Sequence, residues 1–137
     1  MRHADNKLET ELKRGIFQIA VLSLLEEPRY GYQIGRVLAD YGLAVEEGTL
    51  YPLLRRMEEQ GLLESWWLTE QARPRKYYRT TADGKDCLRV LVETWSRVDG
   101  ALRRILQASG GGEQVPPAAP GPGPVAEAGG GGAVDGD

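Results

Sequence analysis

The sequence predicts a mainly α fold with a small β-hairpin: a winged helix-turn-helix followed by one long C-terminal dimerisation helix. Three observations carry that reading. Helical apolar periodicity recurs in three segments between residues 8 and 60, each closed by a Pro or Gly stop signal. Two aromatic-rich segments, 62–69 and 76–81, flank a polar link as the strands of a hairpin do. From Leu88 to Ile105 apolar residues fall at alternating spacings of three and four, the pattern of a helix that packs along another helix.

The first helix is expected over residues 8–25. Leu8, Leu12, Ile16 and Ile19 form one apolar stripe, and Phe17, Val21, Leu24 and Leu25 a second. A helix apolar on two sides needs two partners, one of which a second subunit can supply. Glu26, Glu27 and Pro28 end it. The second helix runs from Gly31 to about Tyr41, with Ile34, Val37 and Leu38 inward and Gly42 as a left-handed stop. After a short link the third covers about residues 48–60. Thr49 suits its N-cap, Pro52 its first turn, and Gly61 the position just past its end. The hairpin follows, its link at 70–75 longer than a two-residue turn. Of the adjacent pairs Trp66–Trp67 and Tyr77–Tyr78, alternation sends one Trp outward and at least one Tyr into the core. The last helix is expected from about residue 82 to 108, with Thr81 as N-cap and Leu88, Leu91, Trp95, Val98, Leu102 and Ile105 as the dimerisation seam.

These elements divide the chain into a DNA-binding-type winged domain at 1–81, a dimerisation helix at 82–109 and a tail at 110–137. The tail holds ten Gly, five Pro and five Ala in 28 residues and no Leu, Ile or aromatic side chain. It cannot bury a core and is expected to be disordered and acidic. It also masks the charge of the rest. The chain is −3 overall, yet all 17 Lys and Arg precede residue 110 together with 16 of the 20 acids, so residues 1–109 are about +1. Net charge of that size neither supports nor excludes nucleic acid, and local clustering has to decide.

The one cysteine, Cys87, excludes an intrachain disulfide. The densest apolar run, 16–25, is too short and polar to span a membrane, and the charged N-terminus is unlike a signal peptide. A soluble, cytoplasmic protein with no membrane partner is expected. Catalysis has no visible machinery. The one histidine, His3, lies ahead of the first expected helix in a segment expected to fray, so Cys87 has no activating base in the fold. No Cys/His metal spacing, phosphate loop or nucleophile elbow is present, so no metal and no cofactor is expected.

Local clustering favours DNA. On a helical wheel Leu50, Leu53, Leu54 and Met57 share one side of the third helix, while Tyr51, Pro52, Arg55, Arg56 and Glu59 fall on or near the other. Arginine reads guanine edges with paired hydrogen bonds, and the Thr49 and Tyr51 hydroxyls suit phosphates or base edges near a helix N-terminus. The bland alternative is a solvated face. The hairpin shifts the balance, because Arg73, Arg75, Lys76 and Arg79 place four cations in seven residues beside that helix, suited to phosphate contacts. Tyr32, at the start of the second helix, either donates to a phosphate or packs on the third helix. The runner-up reading is a winged helix used only for protein contacts.

The segment from Glu47 to Glu58, Glu-Gly-Thr-Leu-Tyr-Pro-Leu-Leu-Arg-Arg-Met-Glu, followed by Gly61-Leu62, resembles the recognition helix of the PadR family of transcriptional regulators. Arg14-Gly15, the run Tyr30-Gly31-Tyr32-Gln33-Ile34 and the wing end from Arg75 to Gly84 match the same family in order, with Thr80 standing where the family usually has Leu. The resemblance covers about residues 8–107 and is to the short subclass with one C-terminal helix. It implies a homodimer in which that helix packs on the partner's first helix, repression from near-palindromic operators, and release by small aromatic or amphipathic ligands.

Trp95 and Asp99, four residues apart, share a helical face that would stack a planar ligand and pair with its positive charge. The run 95–99 resembles the multidrug-sensing branch of the family. Leu12 and Phe17 are the candidate walls of such an effector site. The alternative is that Trp95 is only a large core residue of the dimer.

Overall fold

Two glycines and one threonine set the boundaries of the helices. The computed structural model describes the backbone of residues 2–70 and 72–109 and the side chains of residues 7–70 and 72–109. The tail at 110–137 lies outside the described residues. In chain order the elements are α1 (Arg2–Leu24), β1 (Arg29–Tyr30), α2 (Gly31–Asp40), α3 (Glu47–Glu59), β2 (Leu63–Leu68), β3 (Arg75–Thr80) and α4 (Ala82–Ser109). This is the winged helix-turn-helix with a long last helix that the sequence predicts.

Helices α2 and α3 end in the same way. Gly42 (φ 93°) and Gly61 (φ 81°) adopt the left-handed conformation that a side chain resists. Each returns its amide to a carbonyl of the last turn, Gly42 to Ala39 at 2.9 Å and Gly61 to Glu58 at 3.0 Å. The following amides reach one carbonyl further back, Leu43 to Leu38 at 2.8 Å and Leu62 to Met57 at 3.0 Å. Both ends are thus Schellman motifs, and each drops an apolar residue onto the core. Thr81 caps α4: the Gly84 amide donates to its Oγ1 at 3.0 Å, and that hydroxyl donates to the Gly61 carbonyl at 2.7 Å. The start of α4 is thereby fastened to the corner between α3 and β2.

The core of the unit formed by residues 1–99 comes from α1, α2, α3, β2 and β3 and the residue after α1. Val21, Leu22 and Leu25, Ile34, and Leu54 and Met57 are fully buried, with Leu63 of β2 and Tyr78 of β3 closing the sheet side. Each such side chain contributes roughly 1.5–3 kcal/mol on burial. Of the tyrosine pair Tyr78 is inward, and of the tryptophan pair Trp67 is the outward one, at 61% exposed. Residues 100–109 belong to a second unit and are helical, with Leu102, Ile105 and Leu106 exposed.

Four expectations need correction. The sheet has three strands in the order β1-β3-β2, because Arg29 and Tyr30 pair antiparallel with Tyr78 and Tyr77; two residues carry no periodicity from which to foresee a strand. Helix α1 begins at Arg2, ahead of its apolar stripes, in a polar segment whose sequence predicts fraying. The N-cap of α3 is Glu46, not Thr49, whose amide instead donates to the Glu46 carbonyl at 2.9 Å. Because α3 starts at Glu47, Pro52 lies in its second turn and removes the amide that would have bonded the Gly48 carbonyl.

Candidate nucleic-acid interface

Helix α3 buries Leu50, Leu53, Leu54 and Met57 and exposes Pro52, Arg55, Arg56 and Glu59, as the wheel predicts, with Tyr51 half-buried; Thr49 is exposed as well. Its free face has a groove on each flank. On the sheet side, a groove of about 500 Å³ is lined by Tyr32 of α2, Tyr51 of α3, and Arg73, Arg75 and Lys76 at the wing. Five of the nine residues that the sequence nominates for DNA therefore meet in one place. Thr49, Pro52 and Arg56 line a different crevice, of about 230 Å³, against α1. Arg55 lines neither and is exposed between them.

Two close approaches shape the sheet-side groove. A Cβ on Gly31 would lie 2.5 Å from Tyr51 Cε1 and 3.0 Å from its Oη, so only glycine lets the start of α2 seat the Tyr51 ring. Burial, and secondarily Glu47, holds the Tyr51 pKa above the ordinary tyrosine value, which keeps its hydroxyl protonated and able to donate. On α2, Arg36 Nη1 donates to the Tyr32 hydroxyl at 3.2 Å, and that bond heads the causes that hold the Arg36 guanidinium charged. Arg36 escaped the sequence reading, although its spacing of four from Tyr32 puts both on one face.

The wing cations are not equivalent. The Arg75 guanidinium lies over the Tyr30 ring at 4.5 Å, a cation–π contact that stiffens the strand as well as holding a charge at the groove. The Lys76 ammonium stands 3.9 Å from Glu58 Oε1, so α3 engages part of its charge. Arg79 does not join the groove: it forms a paired contact with Glu64 on β2, at 2.8 and 2.6 Å, and covers Trp66. Exposed Arg73 has no ion-pair or hydrogen-bond partner among the described residues.

The nominated effector residues separate. Leu12 and Trp95 do share an apolar groove of about 260 Å³ between α1 and α4, with Gly15, Ile16, Ile19, Leu91, Thr94 and Val98. Phe17 is 7% exposed, in the core, and lines the crevice toward α3 instead. Asp99 is half-buried and outside the lining of the apolar groove. Along the seam, Leu88 and Leu91 pack partly on the winged domain's core, whereas Trp95, Val98, Leu102 and Ile105 are 47–58% exposed. Among the described residues no helix is long and apolar enough to cross a membrane.

Comparison with known proteins agrees with this geometry. Residues 21–90 match the model of the transcriptional regulator PadR-like family. The chain is 42% identical to a PadR family transcriptional regulator from Eggerthella lenta whose crystal structure superposes with a TM-score of 0.69, covering 77% of this chain and 97% of that one. A PadR-like transcription factor from Bacteroides fragilis is 34% identical, with a TM-score of 0.62 over 72% and 98% of the two chains. An uncharacterised protein of Lysinibacillus sphaericus is 32% identical over 73% of this chain and 96% of its own length. A transcriptional regulator of Mycobacterium tuberculosis is 39% identical over 43% of this chain and 55% of its own length.

Proposed function

The chain belongs to the PadR-like family of transcriptional regulators, and on that footing we propose that it is a sequence-specific DNA-binding repressor, homodimeric and released from its operator by a small planar aromatic ligand. The observation that supports DNA binding best is the free face of α3. Arg55 and Arg56 stand exposed on it, and Tyr51 opens into a groove whose far wall carries Arg73, Arg75 and Lys76. A helix with that face enters a major groove while the wing takes phosphates. Residues 1–81 carry this task and residues 82–109 the dimer contact. The half-exposed apolar seam of α4 supports the second assignment, since exposed apolar stripes of this kind mark protein interfaces. The groove holding Leu12 and the half-exposed Trp95 is the place for the effector, the indole offering a stacking face. Regulation of this kind takes place in the cytoplasm and needs no catalysis.

Fluorescence anisotropy of labelled duplex from directly upstream of the gene, against a scrambled duplex at two salt concentrations, tests the reading. Tight binding to the first and weak, salt-sensitive binding to the second is expected. Arg55→Ala should lose about 1–3 kcal/mol on the specific duplex, and Arg73→Ala should weaken both alike. Equal, weak binding to both by the unaltered protein, unaffected by these changes, would favour a winged helix that serves protein partners.

A further inference from the structure

We propose that Arg14 of α1, together with Arg56 of α3, holds a DNA phosphate on the flank of α3 away from the wing, so that α1 is part of the nucleic-acid interface. The proposal rests on the DNA-binding reading above and extends it to a helix that the reading leaves to packing.

The faces of α3 supply the first reason. Tyr51 and Arg56 are five residues apart, which turns them about 140° from one another on a helix. Tyr51 accordingly opens into the wing groove, and Arg56 into the crevice that α1 walls with Thr10, Arg14 and Phe17. A B-DNA major groove is about 12 Å wide, so a helix lying in it has a phosphate strand on each side. The wing supplies cations for one strand. Without α1, the other strand would meet Arg56 alone.

The second reason is that this charge is unspent. Arg14 and Arg56 are exposed, and neither has an ion-pair or hydrogen-bond partner among the described residues. Two of the nearby acids are turned elsewhere: Glu9 pairs with Lys13 at 3.3 Å, and Glu47 lines the crevice on the α2 side of α3. The Thr10 and Thr49 hydroxyls line the same crevice as the two guanidinium groups and can add neutral donors to a phosphate oxygen.

The third reason is the anchoring of α1. Phe17, one turn beyond Arg14 on the same face, is 7% exposed and seats that face of the helix on the core. Leu12, Ile16 and Ile19 point the opposite way, into the apolar groove shared with α4. Covering that groove, whether by a second subunit or by a ligand, leaves Arg14 open. A guanidinium held by a fixed helix makes a phosphate contact at low entropic cost.

The test is the salt dependence of binding of the full-length protein to a labelled random-sequence duplex and to the upstream duplex, for the unaltered chain, Arg14→Ala, Arg14→Lys and Arg73→Ala. Removing one cation from a phosphate lowers the slope of log affinity against log salt by about 0.9. Arg14→Ala should flatten that slope by about one for each protomer bound and weaken both duplexes about tenfold at low salt. Arg14→Lys should keep most of the slope, and thermal melting of the two Arg14 variants should match the unaltered chain. An unchanged slope in Arg14→Ala, alongside a flattened slope in Arg73→Ala, would overturn the proposal and leave the DNA reading standing. No binding of either duplex by the unaltered chain would remove both.

Discussion

Glu58 is the residue on which the position of the wing turns, and exchanging it separates two effects. Its two carboxylate oxygens reach two strands. Ser65 Oγ of β2 donates to Oε2 at 2.6 Å, and Lys76 Nζ of β3 lies 3.9 Å from Oε1. The carboxylate is 33% exposed and the lysine 38%, so neither contact has full interior strength. A hydrogen bond to a charged group contributes about 1.5–3 kcal/mol, and partial exposure brings this one to about 1–2. An exposed ion pair adds at most about 1 kcal/mol. Glu58→Ala should therefore cost about 1–2.5 kcal/mol in urea denaturation followed by circular dichroism. Glu58→Gln keeps an acceptor for Ser65 and should cost less than about 1 kcal/mol. In DNA binding the two should part in sign. Glu58→Gln frees the Lys76 ammonium and removes a negative charge beside the groove, so affinity for a random duplex should rise by up to about fivefold, the equivalent of about 1 kcal/mol. Glu58→Ala removes the same charge but also unties the wing from α3, and should bind no better than the unaltered chain. If the two variants bind DNA equally, the carboxylate does not position the wing. If Glu58→Gln binds more weakly, Lys76 does not face DNA.

Four further outcomes are expected. Gly84→Ala would press a Cβ into the Leu62 carbonyl oxygen and to 2.6 Å from Thr80 Cγ2, and should destabilise by about 1–3 kcal/mol. Gly48→Ala, with nothing within 4 Å, should be neutral or stabilise by up to about 1 kcal/mol, both read from denaturation midpoints. Burial first, then Glu58 and Tyr51, raise the Tyr78 pKa above the ordinary 10.0, with Arg55 opposing. The folded state thus holds this proton more tightly than the unfolded chain. The stability it contributes is fully present below pH 10 and is lost as pH rises through the folded value, and Tyr78→Phe should flatten that alkaline decline in melting temperature. Leu102→Glu places a charge on the exposed seam and should shift the protein toward monomer in sedimentation velocity at micromolar concentration, whereas a variant indistinguishable from the unaltered chain would remove Leu102 from the dimer contact.

The parts of the fold legible in sequence are those where local chemistry and tertiary packing agree. Helix α3 is amphipathic over its whole length, so its wheel alone assigns Leu50, Leu53, Leu54 and Met57 inward. Gly42 and Gly61 announce left-handed stops because no other residue takes that conformation freely. Strand β1 stays hidden because its pairing with β3 is long-range and spans two residues. Thr80 stands where the resembled signature has Leu, and the fold explains it. Its buried hydroxyl donates to the Leu22 carbonyl at 2.8 Å while its amide donates to the Leu25 carbonyl at 2.8 Å, so β3 satisfies acceptors that the end of α1 leaves open. The effector residues diverge for a geometric reason as well. Leu12 and Phe17 are five residues apart on one helix, and about 140° of rotation sends the first toward α4 and the second toward α3.

Charge shows most plainly why a sum over residues cannot locate the interface. Residues 1–109 are close to neutral by formal count, yet several of their charges are engaged within the fold. Glu64 is bound to Arg79, Asp86 to Arg89 and Glu9 to Lys13, while Glu58 faces Ser65 and Lys76. Each pairing withdraws an acid and a cation together and leaves the net charge where it was. Arg14, Arg55, Arg56 and Arg73 are exposed and without a partner among the described residues, as are Lys7, Lys85, Arg97 and Arg104, and three of the first four stand on α3 or on the α1 face beside it. A chain whose formal charge says nothing about nucleic acid thus places four of its unspent cations on α3, on the α1 face beside it and at the wing. Since counterion release depends on the cations that meet phosphates and not on the protein's total, the affinity of this face for DNA should follow those four arginines and be nearly indifferent to charge-neutralising changes at Arg79 or Arg89.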